Sequence, residues 1–357
     1  MGEIMKKLLI LLCAVSALSV TACKKDAKEI QKIIDILGLK APNAPKSFGK
    51  NPPKITNDLF DHFYVGSASE GTGLSLTVYC DSVGYSYNWY KGIPEENWQI
   101  LENKNTNNID IKVESDTVYY VCEIISADGK SRSYSNVCKI ECGTRRTSNI
   151  GKIVMRNTST GELSIADSIS YSGGGPIGVV CDVNFDGTPK TIIHYSQGNQ
   201  CVWASSNAEG KGKVIPFNRE CGSDNFGILI QNVTDVNESN YPAFYYCSNI
   251  NKVYDEYVEW YLPSEYEMMV AVLNAKSINS AITKFPVNSS VNFVTPSQIQ
   301  NYNFWTSSMK TDVGNACEVK NNYFNHEYSV SSLSQPMSST FIPRAVCEYK
   351  AYPRNNQ

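Results

Sequence analysis

The twelve cysteines are the residues of this 357-residue chain with the most chemistry to offer, and their positions sort them. Cys13 lies in an apolar run behind Met5-Lys6-Lys7, and Cys23 closes that stretch after Val20-Thr21-Ala22. The other ten are Cys80, Cys122, Cys138, Cys142, Cys181, Cys201, Cys221, Cys247, Cys317 and Cys347. A basic start, an apolar run from Leu8 to Val20 too short to span a bilayer, and small residues before a cut site mark residues 1–22 as an export signal. In the oxidising compartment beyond the membrane, an even number of cysteines reads first as disulfides. Metal binding is the weaker chemistry, since no Cys-x-x-Cys unit occurs and His62, His194 and His326 lie far apart in sequence. There is no nucleophile elbow, no His-Glu-x-x-His and no phosphate-cradling glycine loop. The chain therefore reads as something other than an enzyme, and no cofactor is expected.

The segment ending in Cys23 resembles the bacterial lipobox. That resemblance implies that the Cys23 thiol takes a diacylglycerol, that cleavage frees its amine, and that a third acyl chain is added. At about 0.8 kcal/mol per buried methylene, two or more chains anchor a protein stably to a membrane. The Met-Gly start does not fit N-myristoylation, because position 6 is Lys. After residue 22 no stretch is long and apolar enough to cross a bilayer. The expected localisation is the outer membrane, lipid-anchored and surface-exposed; Cys-Lys-Lys-Asp is similar to surface-export tags of Bacteroidetes lipoproteins.

Composition narrows the partners of the mature chain. A formal charge of −3 argues against nucleic acid, whose phosphates need a concentrated basic face. Twenty-two tyrosines against only 19% charged residues, with many Ser, Asn and Gly, suit short strands and polar binding loops.

The elements that must position these residues fall into segments. Residues 23–54 read as a tether, with one short helix over Ile30 to Leu39 and stiffening by Pro42, Pro45, Pro52 and Pro53. Residues 55–142 read as a small sandwich of short strands: Leu74, Leu76 and Val78 alternate with polar positions, Tyr85, Tyr87 and Trp89 continue the period, and Val118 to Cys122 supplies a partner. Cys80, Trp89 nine residues on, and Asp116-x-x-x-Tyr120-x-Cys122 resemble an immunoglobulin-like domain. The resemblance implies a Cys80–Cys122 bridge with Trp89 packed on it and Tyr120 as a tyrosine corner, in a pared-down domain acting as spacer. Cys138 and Cys142 stand four apart, on one strand face at roughly 13 Å; either the chain bends there or each has a distant partner.

Residues 146–352 form the larger unit. A Gly173-Gly174-Gly175-Pro176 turn is expected to feed a buried strand from Ile177 to Cys181, a second turn lies at Asn184 to Thr188, and Thr191 to Tyr195 reads as the next strand. Pro242 opens a helix over Ala243 to Ile250, and Ser264-x-x-Glu267 is a capping box starting another. Strand-like pieces follow at Phe304 to Ser307, Ala316 to Val319 and Ile342 to Tyr349.

In order, Tyr241-Pro242-Ala243-Phe244-Tyr245-Tyr246-Cys247, Trp260-Tyr261-Leu262-Pro263-Ser264 with Glu267, Phe304-Trp305-Thr306-Ser307-Ser308 and Pro343-Arg344-Ala345-Val346 resemble the major paralogous domain first named from Fibrobacter succinogenes. They are also similar to the C-terminal domain of the Legionella collagen-like adhesin. The resemblance implies an α+β C-type lectin-like fold, so that the whole chain is mainly β and multidomain. It implies core roles for Trp260, Leu262 and Trp305, and a Cys247–Cys347 bridge from the first helix to the last strand. Calcium-dependent sugar binding does not carry over, since neither Glu-Pro-Asn nor Gln-Pro-Asp nor Trp-Asn-Asp occurs in the right region. The functional expectation is a cell-surface adhesin or ligand-binding lipoprotein for an extracellular glycan or protein, with a structural or fimbria-associated subunit as the alternative. Candidate ligand contacts are Trp305, Asn321, Asn322, Tyr323, Asn325, His326 and Tyr328, which combine flat amphipathic rings with adaptable amides.

Overall fold

Val118–Ile125, rich in β-branched and aromatic residues, pairs antiparallel with Ser86–Gly92 in unbroken register from Tyr119↔Gly92 to Ile125↔Ser86. In this computed structural model, which describes residues 46–93, 98–212, 215, 217–250, 258–286, 297–299, 302–309, 315–324 and 327–350, the chain is mainly β and gathers into two compact units. Among the described residues, one holds those up to His62 and those within Leu76–Ile109 and Val118–Lys139; the other holds Phe63–Ser75, Asp110–Thr117 and those from Ile140 on.

In the first unit, Arg132–Tyr134 joins Val118–Ile125, Ser47–Phe48 adds beyond it, and Gln99–Ile100 flanks Ser86–Gly92. Trp89 is wholly buried, stands opposite Cys122 in the ladder, and donates its indole N–H to the Thr106 carbonyl at 2.9 Å. Beside this core Glu123, 1% exposed, accepts from Asn88, Tyr90, Arg132 and Tyr134 at 2.8, 3.0, 2.5 and 2.9 Å. Burial alone would raise its carboxyl pKa, but the Asn88 hydrogen bond and the Arg132 charge outweigh burial and hold it below the usual range.

The second unit is built on a five-stranded antiparallel sheet in the order Leu163–Ala166, Ile153–Asn157, Gly174–Val183, Pro189–His194, Val346–Glu348. The glycine run expected as a turn is already strand, which begins at Gly174 rather than Ile177. Gly174 pairs with Asn157, and a Cβ on it would meet the Arg156 carbonyl at 2.1 Å, so glycine there permits close strand approach rather than a bend. The turn at Asn184 to Thr188 is present, closed by the Asn184 N–H on the Thr188 carbonyl.

Four helices are found among the described residues of this unit: α1 (Gly222–Asn232), α2 (Pro242–Asn249), α3 (Glu265–Leu273) and α4 (Ala275–Ile282). Pro242 at the first position of α2 and the Ser264/Glu267 capping box of α3 both stand where the sequence places them. The sequence did not announce α1, whose Gly227 and missing side-chain cap weaken the local signal. A second sheet pairs Asn303–Met309 with Asn315–Phe324 and the latter with Glu327–Pro336; Gly73 and Leu74 add in parallel beside Ser329 and Val330. Cys201–Val202 pairs separately with Thr340–Phe341. Trp203, Tyr241, Phe244, Leu262 and Trp305 lie together in the core, with Trp203 edge-on to Phe244 at 5.0 Å.

Candidate binding cleft

Helix α2 carries Pro242, Tyr245, Tyr246 and Asn249 at spacings of three and four, which places them on one face. Ala243, Phe244 and Cys247 are buried on the other side. That division turns the helix into a wall: its inner side fills the core with Trp203 and Tyr241, and its outer side lines an open cleft of about 750 Å³. The segment after Pro189–His194 also lines it, through Gln197, Asn199 and Gln200, as does Pro343. Tyr245 is 37% exposed, so part of its ring is available to a ligand.

These segments are held by close packing at Gly198. Its N–H donates to the Pro343 carbonyl at 2.9 Å, and a Cβ there would meet Pro343 at 2.8 Å and the Tyr246 ring at 3.1 Å. Only glycine lets this segment lie flat against both.

Under the cleft lies a buried polar layer. Arg344 is fully buried and donates Nε and one terminal nitrogen to the His194 carbonyl at 3.2 and 3.0 Å, and the other to Gln197 Oε1 at 3.4 Å. Burial lowers the guanidinium to a pKa of about 10. His194 is also buried; burial first, and then the Arg344 charge, pull its imidazole down to about 3. The Ser196 backbone N–H donates to His194 Nδ1 at 3.1 Å, which requires Nδ1 to be an acceptor and fits a neutral ring. Burial raises the Tyr246 hydroxyl above its ordinary value, a Ser196 hydrogen bond and the Arg344 charge opposing. Tyr246 and His194 therefore hold their neutral forms at neutral pH. Such a layer can orient a ligand through hydrogen bonds and ring faces, and Glu238 is the one carboxylate lining the cleft among the described residues.

The residues singled out in the sequence are placed elsewhere. Trp305 is wholly buried, T-packed on Phe341 at 4.6 Å, and donates its indole N–H to the Cys201 carbonyl at 2.8 Å. It fills the core as the resemblance implies and has no face for a ligand, so its reading as a contact residue is corrected. Asn321, Asn322 and Tyr323 lie on Asn315–Phe324, opposite Val330, Ser329 and Tyr328. Their side chains and that of Tyr328 are outside the described residues, as are Asn325, His326 and Cys23.

All ten cysteines among the described residues stand as thiols in this structure, Cys80, Cys122, Cys201, Cys247 and Cys347 among them. Burial pushes Cys80 up to about 11, and Cys122 is raised further, by burial first and then by a Cys80 charge. Cys138 and Cys142 share one continuous strand, so the chain does not bend between them. Cys247 is buried on α2; burial, and then a Cys201 charge, raise its thiol well above the usual range. Cys347 stands opposite Ile192 in the five-stranded sheet; the Cys181 thiol is raised well above its usual range by burial first, then by Asp182 and Glu267, with Cys347 a lesser contributor.

The lining residues Gln197, Asn199, Gln200, Tyr245, Tyr246 and Asn249 were not among the sequence candidates. The signal for the α2 half was legible as a three-four spacing of tyrosine and amide behind Pro242. The half after His194 had no such signal.

No family model matches this chain, and no curated protein matches it. Among solved structures, the chain is similar to Sidekick-1 immunoglobulin domains 1-5, at 13% identity over 45% of this chain and 43% of that chain. The match thus spans less than half of that protein's length, and its TM-score of 0.16 says nothing about a shared fold.

Proposed function

We propose that this protein is a lipid-anchored cell-surface binding protein, whose second unit carries a C-type lectin-like domain that takes a glycan in the cleft lined by α2 and the segment after His194. The immunoglobulin-like first unit serves as spacer. One observation carries the reading: Tyr245, Tyr246, Asn249, Gln197, Asn199 and Gln200 together line a cleft of about 750 Å³. Sugars offer alternating apolar ring faces and hydroxyl pairs, and rings with amides match both without needing a charge or a metal. The buried Arg344 and His194 beneath are support, fixing Gln197 and the backbone around it.

The test is a glycan array that also carries matrix proteins, probed with the full chain in detergent. Binding to a subset of glycans is expected, lost at least tenfold in Tyr245→Ala and Asn249→Ala while both keep the parent melting temperature within about 2 °C. Absence of glycan binding, binding to proteins alone, or affinity indifferent to both substitutions overturns the proposal.

A further inference from the structure

Cys247 sits on the buried side of α2, and α2 packs against the short strand Cys201–Val202. Cys201 is half-buried, lines the cleft beside residues of α2, and packs against the same apolar core that contains Cys247. Its backbone is fixed twice over: Cys201 pairs with Phe341, and its carbonyl accepts the Trp305 indole N–H. Cys347 belongs to a different sheet, in register with Ile192.

We infer that Cys201 and Cys247 are the native disulfide partners of this unit, and that their bridge staples the wall of the cleft to the strand behind it. Burial first and then the Cys201 charge raise the Cys247 thiol, which agrees with this geometry. The assignment replaces the Cys247–Cys347 bridge implied by the lectin-like resemblance. It does not depend on what the cleft binds.

Closure needs an oxidant, and the exported setting supplies the class: an oxidised protein dithiol. One cysteine, as thiolate, attacks that disulfide to form a mixed disulfide and releases one partner thiolate. The second attacks the mixed disulfide, forming Cys201 Sγ–Cys247 Sγ and releasing the other partner thiolate. The two protons lost here end on the partner, which leaves as a dithiol. Burial pushes Cys201 to about 11 and Cys247 higher, so little thiolate exists in the finished fold.

The experiment is peptide mapping of the full chain, exported into an oxidising compartment and alkylated in denaturant without reduction. The expected product is a peptide pair joining Cys201 to Cys247. Alkylation of Cys247, or its recovery bonded to any other cysteine, overturns the assignment. As a second readout, Cys201→Ser and Cys247→Ser are each expected to lower the melting temperature by roughly 5–10 °C, with the double variant no lower than either single one. Additive losses would contradict a shared bond.

Discussion

His194 shows how one side chain can tie the cleft to pH. Its ring is stacked on Tyr195 at 4.3 Å and edge-on to Trp260 at 4.9 Å, and burial holds it neutral with a pKa near 3. The unfolded imidazole titrates at about 6.5. A depressed pKa means that the unfolded chain takes up the proton first, so the stability contributed by the neutral ring is complete above pH 6.5 and is lost as pH falls towards 3. Between pH 6.5 and 5, above the carboxylate range, the protein should lose melting temperature steadily. In His194→Asn, whose amide oxygen can take the Ser196 N–H, most of that slope should vanish in a thermal scan against pH. An unchanged slope would assign the effect to another group. Nothing local in Thr191-Ile192-Ile193-His194 reveals this; the alternation shows only a strand, and beside the neighbouring Tyr195 the burial comes from Trp260 and Arg344, brought in from elsewhere in the chain.

At the scale of elements, the capping box of α3 does more than end a helix. The Ser264 hydroxyl accepts from the Glu267 N–H at 3.2 Å, and Glu267 Oε2 accepts from the Ser264 N–H at 2.8 Å and from the Gly222 N–H, the first residue of α1, at 3.0 Å. Glu267 Oε1 accepts from the Tyr261 hydroxyl at 2.9 Å. Burial raises this carboxyl pKa and these hydrogen bonds oppose the rise, so one side chain organises the starts of two helices. A Cβ on Gly222 would meet Glu267 Oε2 and the Ser264 nitrogen at 2.7 Å, so the junction also requires glycine. Ser264→Ala should cost about 1 kcal/mol. Glu267→Ala strands three donors and should cost about 3 kcal/mol or more, read from urea midpoints. Equal losses would mean that Glu267 serves α3 alone. The Ser-x-x-Glu spacing was readable along the chain; the Gly222 and Tyr261 partners were not, because their loops return to this point only after folding.

At the scale of the whole molecule, the anchor is the testable premise. Cys23→Ser should abolish incorporation of radiolabelled palmitate and move the chain from the detergent-rich to the aqueous phase on phase separation; a labelled, detergent-partitioning variant would remove the lipid from the account. The mainly β architecture and the starts of α2 and α3 follow from period, caps and turns, which act over a few residues. Where the cleft opens, and that Trp305 faces inward, were decided by tertiary structure alone. The reason is physical: a three-four or two-residue period says which side chains share a face, while only the packing of residues far apart in the chain says whether that face meets core, water or a thiol on another strand. The sequence by itself therefore determined the kinds of element, and the contacts between distant segments determined the candidate site.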